Sequence, residues 1–382
     1  MKRKGGYLLR KIADKYYILP YGQRIVDHQR SVQINEAGVF LWKHLEQECT
    51  REELLSGFAA HYQAGPQEIP VLEKDMDRFL EHLSIQGMLE NEEKLPSPGE
   101  NVCRYLQIGG LSLELNGPRE VFAEGFDAFA GGKVTEVHQR IFVRYGEPFE
   151  HCNGMTVLRS RQIIISDLGN EYLLLFPEAR YLLEAHLAKA GDRAAYFIRS
   201  VSDRKGIAEE LFHGIRLAYL YLAQNNGKFA IHSASVLYRN QAWIFAAPSG
   251  EGKSTHTNMW EKEFQTPVLN GDLNLLALEE GKPVVYGMPW CGTSGISDTE
   301  TWQLGGIVLL KQAKEDHCIS LSEDEKQLLV VKRLVSPSWT EEMMLKNLEF
   351  VERLIRKIPV YHLHCTKNSS AAYVMKRQID KE

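Results

Sequence analysis

Apolar positions along the chain change their period three times, and the changes divide it into three regions. From Gly6 to Leu89 short apolar pieces come first: Tyr7-Leu8-Leu9, Tyr16-Tyr17-Ile18-Leu19 and Val32-Gln33-Ile34. They read as strands. Helical spacing follows, with Ala37, Leu41 and Leu45 recurring every four residues beside Phe40 and Trp42. Thr50 with Glu53 three positions on is a capping-box pair, and Leu54, Phe58 and Tyr62 supply the apolar face behind it. A third helix begins near Pro70, because proline suits a first helical turn. Its stripe is Leu72, Met76, Phe79, Leu80 and Leu83, with Gly87 as its stop. Strands followed by three helices in about 85 residues make a small winged-helix-like module.

Asn91 to Glu100, with Pro96, Pro98 and Gly99, reads as a linker. From Cys103 to about Val201 the apolar runs are short and broken by Gly, Asn and Asp, as in Leu111 to Leu115, Ile141 to Val143 and Gln162 to Ile165. This middle region is mostly β. A helix from about Arg204 to Ala223 closes it, with Ile207, Leu211, Ile215, Ala218 and Leu222 on one side. Beyond Phe229, Ser235 to Tyr238 and Ala242 to Ala246 read as strands around an Arg239-Asn240 turn. A helix is expected over Ser254 to Glu261. Strands are expected at Val268-Leu269, Leu273 to Leu278, Val284 to Tyr286 and Gly306 to Leu310, and a helix over Glu341 to Lys357. The expected units are 1–95, 101–225 and 226–382, an α/β and α+β multidomain chain, as its 382 residues suggest.

Composition narrows the function classes. A formal net charge of −5 gives no electrostatic reason to expect nucleic acid. The local run Lys2, Arg3, Lys4, Arg10 and Lys11 reads as a solvated arm. None of the six cysteines falls in a Cys-x-x-Cys pair, so free thiols in a reducing cytosol are expected rather than a zinc site or a disulfide framework. No apolar run follows the basic start as a signal peptide requires, and none is long enough to span a bilayer. No membrane partner and a cytoplasmic location are expected.

The chemistry concentrates at Ala247-Pro248-Ser249-Gly250-Glu251-Gly252-Lys253-Ser254-Thr255, between an apolar strand and a helix start. That context is what a phosphate-cradling loop requires. Backbone N–H groups of Ser249 through Lys253 are expected to bind phosphate oxygens, with glycines allowing close approach and the helix N-terminus adding its positive end. Lys253 would hold the β- and γ-phosphates of ATP, and Ser254 would put its hydroxyl on Mg²⁺. The usual first glycine is Ala247 here. Asp272 follows the next apolar strand, where a carboxylate either ligates Mg²⁺ or takes a proton from an attacking hydroxyl. Asn270-Gly271-Asp272 is equally good turn chemistry. His232, ahead of the hairpin that leads into the loop, is either a packed histidine or part of the site.

The stretch His232-Ser-Ala-Ser-Val, the loop Ala247 to Thr255, and Asp272 resemble the catalytic core of the HPr kinase family, within the HPr kinase and phosphoenolpyruvate carboxykinase superfamily. Tyr286-Gly-Met-Pro-Trp-Cys-Gly292 is similar to a signature of HPr-kinase-like proteins found beside peptide-modifying enzymes. The likeness covers roughly residues 205 to 375 of the chain. It implies a P-loop α/β domain that uses ATP and Mg²⁺ to phosphorylate a serine hydroxyl. It also implies that His232 lies near the γ-phosphate and that Asp272 is general base or metal partner. Relatives in that family often assemble into rings, so a homo-oligomer is compatible with the resemblance. Two departures bear on catalysis: Gly271 stands where relatives often carry a second aspartate, and Thr293 where a lysine often follows. The N-terminal region resembles the PqqD-type peptide-binding domain, or RiPP recognition element, through Ile34-Asn35-Glu36-Ala37-Gly38 and Gln86 to Leu89. Such domains take up a leader peptide as an added strand. The resemblance implies that Val32, Gln33 and Ile34, or a neighbouring strand, form the receiving edge, facing the third helix.

Together these expectations describe an ATP-dependent serine/threonine kinase of a ribosomal precursor peptide held by its leader, working beside other peptide-modifying enzymes. Two alternatives remain: a catalytically weak nucleotide-binding scaffold that presents the peptide to a partner enzyme, and a kinase of a small hydroxyl metabolite.

Overall fold

The computed structural model describes residues 1–26, 31–85, 88–90, 101–146, 154–199, 203–248 and 250–381. The expected linker at Asn91 to Glu100, the residues Gln86 and Gly87, Cys152 and the loop residue Ser249 lie outside the described residues.

In the N-terminal unit, β1 (Tyr7–Ile12) and β2 (Lys15–Pro20) form an antiparallel hairpin closed by Ala13-Asp14, with Ala13 left-handed at φ 52°. β3 (Val32–Ile34) adds antiparallel to β2, placing Ile34 opposite Tyr16 and Val32 opposite Ile18. Among the described residues no strand pairs with the outer edge of β3. Three helices follow: α1 (Glu36–His44), α2 (Arg51–His61) and α3 (Ile69–Ile85). Asn35 starts α1 by accepting the Gly38 N–H at 2.9 Å. The Thr50–Glu53 box closes in both directions. Thr50 Oγ1 accepts the Glu53 N–H at 3.1 Å, and Glu53 Oε2 accepts the Thr50 N–H at 2.9 Å. The helices bury Leu41, Trp42, Leu54, Phe58 and Met76 against Ile18. Arg51 ties α2 to α3 through Asp77 and Glu73. Lys2–Arg3 pair with Leu89–Glu90, so a two-strand ladder holds the ends of the unit together.

The middle region is a nine-stranded sheet from Asn101 to Ile198, mostly antiparallel. Gln139–Tyr145 sits between two parallel neighbours, Leu111–Pro118 and Arg193–Ile198. The strand expected at Gln162 begins only at Ile164. Ser160 Oγ accepts the N–H groups of Gln162 and Ile163, and that local turn takes both residues out of the ladder.

α4 (Arg204–Asn225) is capped by Asp203, which accepts the Gly206 N–H at 2.9 Å. It was expected to be apolar on one side. The structure buries it more widely, from Ile207, Leu211 and Ile215 to Tyr219, Leu220 and Tyr221. The reason is that α4 packs against both sheets. One core contains Leu113, Ile141 and Tyr196 from the middle sheet, Ile215 and Ala218 from α4, and Leu275, Tyr286 and Trp290 from the C-terminal region. Tyr219 donates to the Ile108 carbonyl at 3.0 Å, a tie between residues far apart in sequence.

In the C-terminal region β4 (Lys228–Tyr238) and β5 (Gln241–Ala246) are joined by Arg239-Asn240, both left-handed at φ 52° and 58°, as a tight hairpin requires. β4 is longer than expected, and His232 lies inside it rather than ahead of the hairpin. α5 (Lys253–Phe264), β6 (Val268–Asn270), β7 (Leu273–Glu279), β8 (Lys282–Tyr286) and β9 (Thr301–Gln312) follow. β9 pairs antiparallel with β8 and parallel with β5, so the strands return on themselves. β10 (Val360–Cys365) adds parallel to β9. The strand His317–Ile319, the helices Glu323–Val331 and Ser370–Ile379, and β10 itself were not expected from the sequence. The carboxyl ends of β5, β9 and β10 therefore share one edge, the place where ligands bind in parallel α/β sheets. Among the described residues no helix is long and apolar enough to cross a membrane.

Thr50→Ala should lower the stability of the N-terminal unit by about 1 kcal/mol through loss of the cap. Urea denaturation followed by far-UV circular dichroism measures it, and an unchanged midpoint would show that the box adds nothing.

Candidate functional site

The glycine loop runs from the end of β5 into α5. Gly250 and Gly252 have φ of 81° and 101°, and a Cβ at either would meet open space. Glycine is needed there for the backbone turn, not for packing. Gly252 is the residue before the first turn of α5, and no side chain caps that turn. The leading N–H groups of a helix have no partners within it, so this end of α5 offers donors and a positive dipole end to an anion. The loop is pinned from below: Gln312, at the end of β9, donates its side-chain amide to the Gly250 carbonyl at 3.1 Å and its backbone N–H to Glu251 at 3.2 Å. Ala247 is buried in the core beside Phe245 and Trp260, so the methyl group in place of the usual glycine fills space there. Pro248, Gly250, Ser254 and Thr255 are exposed, and Lys253 is buried. Burial pushes the Lys253 ammonium pKa down, and Asp272 opposes that shift.

Asp272 sits in the short turn between β6 and β7. Buried Asn270 shapes the turn: its Oδ1 accepts the N–H groups of Asp272 and Leu273 at 2.9 and 3.0 Å, and its Nδ2 donates to the Met288 carbonyl. The Asp272 carbonyl accepts the Ser233 N–H at 2.9 Å, fixing the turn to β4. His232 Nε2 and Asp272 Oδ1 are 3.0 Å apart. That hydrogen bond, together with the charges of His232, Lys253 and Arg216, holds the carboxyl below its usual range despite half-burial. Asp272 is thus an ionised group among cations, with Nε2–H of His232 as its donor. Below it, Asn274 donates to the Ser233 carbonyl and hydroxyl, and Ser235 donates to Asn274, so the buried polar atoms of this layer are paired.

The segment Gly287 to Gly295 packs over Asp272. Trp290 is buried and donates Nε1–H to the Phe212 carbonyl at 2.9 Å. Gly292, at φ 62°, lies so close that a Cβ would be 2.9 Å from the Asp272 Cβ. A Cβ on Gly271 would fall 2.2 Å from Ser294 Oγ. Glycine at 271 is therefore a packing requirement of this close approach, and a second aspartate has no room there while the turn keeps its place. Thr293 is an exposed residue in the same turn.

Two arginines and a histidine escaped the sequence reading. Arg216 on α4 is desolvated and feels the charge of Asp272, and its neighbour His213 also feels Asp272. Arg333, whose carbonyl accepts the His232 N–H at 2.9 Å, feels Glu251 and acts on Lys253. None lies in a recognisable motif, and each reaches the site only through the packing of a distant element. Among the described residues no three His, Cys, Asp or Glu side chains converge to hold a metal by themselves. Mg²⁺ bound chiefly through phosphates needs only one or two protein oxygens, and Ser254 with Asp272 supplies that kind of donor.

A second feature lies on the N-terminal unit. A groove of about 540 Å³ is lined by Tyr16, Gln33, Ile34, Asn35 and Phe79, with Lys11, Asp14, Lys15 and Glu36 around it. Gln33 faces solvent and Ile34 is half-buried, while Val32 turns into the core and offers only its backbone to the edge. Gly38 lets α1 pass close to this wall, since a Cβ there would be 3.0 Å from Ile34 and 3.1 Å from Phe79.

The fold thus joins a strand–helix unit with an open strand edge to an α/β region that carries an anion-receptive loop beside an ionised carboxylate. Residues 23–89 match the family model described as Coenzyme PQQ synthesis protein D (PqqD), so a PqqD-type domain occupies the N-terminal unit. A solved structure described as TbiB1 in complex with the TbiA(beta) leader peptide is 22% identical, with a TM-score of 0.20, over 25% of this chain and 100% of that chain. No curated protein matches the chain.

His256, one turn into α5, is buried against Phe245 at 4.9 Å between ring centres, and burial pushes its pKa from 6.5 to about 4. The unfolded chain binds this proton more readily than the native state. Its contribution is therefore complete above pH 6.5 and is lost as pH falls toward 4, with stability declining by on the order of 2–3 kcal/mol. His256→Leu should flatten that part of the stability–pH curve in urea titrations. An unchanged slope would show that other groups cause it.

Proposed function

We propose that this protein is an ATP-dependent kinase that phosphorylates a serine or threonine hydroxyl of a ribosomally made precursor peptide, which it holds by its leader. The observation that carries the kinase half is the meeting of an uncapped helix start at Gly252, buried Lys253 and ionised Asp272 in one place. The peptide half is supported by the PqqD match and by the edge of β3 beside the Phe79 groove, which no strand among the described residues pairs with. A leader laid along β3 as an added strand gains main-chain hydrogen bonds, with selectivity from the side chains that enter the groove.

In this reading the loop amides and Lys253 bind the polyphosphate, and Arg333 adds charge on the same side. Ser254 would hold Mg²⁺, which supplies neutralisation of phosphate charge, and Asp272 is left to act as the base. His232 occupies Oδ1 of Asp272, leaving Oδ2 for the acceptor hydroxyl. That oxygen takes the hydroxyl proton as the acceptor oxygen bonds to the γ-phosphorus, the bond to the β–γ bridging oxygen breaks, and ADP leaves. A carboxylate with a lowered pKa is a weak base, which suits a transfer whose transition state is loose and needs little early deprotonation. Tethering by the leader raises the local acceptor concentration without tighter contacts at the reacting atoms. One observation favours a second reading, a nucleotide-binding scaffold with weak activity: Gly271 leaves a single carboxylate in the turn.

A candidate precursor peptide with a leader and a Ser/Thr-containing core, incubated with the protein, ATP and Mg²⁺, should gain one phosphate by mass spectrometry. Lys253→Ala and Asp272→Asn should each lower the rate by about 10²-fold or more. Removing residues 1–95 should raise KM for the full peptide and leave KM for a leaderless core unchanged. Full activity in Asp272→Asn would remove the base from this scheme, and equal KM values for the two peptides in the intact protein would remove leader docking.

A further inference from the structure

We propose that Gln312 is a positioning residue of the nucleotide site: its side-chain amide holds the peptide unit between Gly250 and Glu251 in the orientation that leaves the start of α5 open to a polyphosphate. This inference rests on reading the glycine loop as a nucleotide site, and it does not depend on whether a phosphate is then transferred.

The loop needs a restraint from outside. Gly250 and Gly252 lie at φ 81° and 101°, and where a Cβ would stand at either there is open space. A glycine backbone with nothing packed beside it turns at low cost. A planar trans peptide unit carries its carbonyl and its N–H on opposite sides. Turning the unit over would therefore present an oxygen where a phosphate needs a donor.

Both polar atoms of the Gly250–Glu251 unit are held. Its oxygen accepts Gln312 Nε2–H at 3.1 Å. Its N–H donates to the Pro248 carbonyl at 3.3 Å, a bond inside the loop. The Glu251 carboxylate accepts the backbone N–H of Gln312 at 3.2 Å. One residue at the end of β9 thus grips two consecutive loop residues, by side chain and by main chain. The sheet sets its place. Gln312 stands opposite Cys365 of β10, and the next N–H, of Ala313, donates to the Cys365 carbonyl at 2.9 Å. β9 also runs parallel to β5, from which the loop emerges. With the Glu251 N–H engaged inside the loop, the donors offered to an anion are those of the uncapped α5 start, Gly252 to Ser254. The Gln312 bonds are solvent-exposed, so they add little to overall stability. Their effect falls on affinity, because an anion binds more tightly to donors that are already aimed at it.

Calorimetric titration of the full chain with Mg-ATP tests this. Gln312→Met keeps the length of the side chain and removes its donor. It should weaken Mg-ATP binding about five- to ten-fold, the size expected for one hydrogen bond. Gln312→Glu sets a charged acceptor against the Gly250 carbonyl and Glu251, and should weaken binding further. Gln312→Lys restores a donor of similar reach and should recover most of the affinity. The melting temperature of each variant without nucleotide should match wild type, which separates a misaimed loop from a damaged fold. Wild-type affinity in Gln312→Met, a Gln312→Lys variant that binds no better than Gln312→Met, or a loss of affinity matched by a lower melting temperature would overturn the role of Gln312. A wild type that does not bind Mg-ATP would overturn that role and the nucleotide site together. Binding in the expected order of variants, with no phosphate transferred to the candidate precursor peptide, would leave the role standing and reject the kinase reading alone.

Discussion

The helix that begins at Gly252 starts without a side-chain cap, and this one deficit organises the C-terminal half of the molecule. A helix start leaves N–H groups that need acceptors. Several of the described helices supply their own, as Asn35, Thr50, Asp203 and Thr340 do. At Gly252 the left-handed backbone turns the chain away before any such residue is in reach, and Lys253 is buried beside the exposed N–H groups. Lys253 feels Arg333 and the turn carboxylate Asp272, and Asp272 in turn feels His232 and Arg216. An anion bound there would stabilise the arrangement by supplying the missing acceptors.

The surrounding fold fixes Asp272 in its turn. Asn270 shapes its turn, Ser233 binds its carbonyl and His232 binds its carboxylate. The loop through Trp290 covers it and roots the cover in α4. Because α4 also carries the middle sheet, that sheet is part of the support of the site. Truncating the chain between the middle and C-terminal regions would cut through one continuous core.

Local signals were legible from the residues. The Thr50–Glu53 box, the Arg239-Asn240 turn and the glycine loop each depend on neighbours in sequence, and each formed where periodicity and turn chemistry placed it. Elements defined by distant partners were harder to read. β10 gains its place by pairing with β9 and with the strand His317–Ile319, and the start of β4 by pairing with β7. Gln162 and Ile163 looked like strand residues because they are apolar in part, but the Ser160 hydroxyl captured their N–H groups first. At the site, His232, Lys253 and Asp272 were readable because they flank a recognisable loop. Arg216, Arg333 and Gln312 were not, since nothing in their own segments marks them and only tertiary packing brings them in. Gly271 carried the opposite lesson: a residue that looked like a lost acid is a glycine that the Ser294 turn requires.

The PqqD-type unit gives the second half of the picture, an edge strand left open between Gln33 and the Phe79 wall. In the proposed function the two halves would answer different questions, which peptide and which chemistry, and the chemistry would depend on the anion demand at Gly252. Backbone amide resonances followed during a Mg-ATP titration test that demand most directly. The largest shifts should fall on Gly250, Gly252, Lys253 and Ser254, and Gly252→Ala should erase them. Shifts confined to the N-terminal groove, or none at saturating nucleotide, would contradict the site.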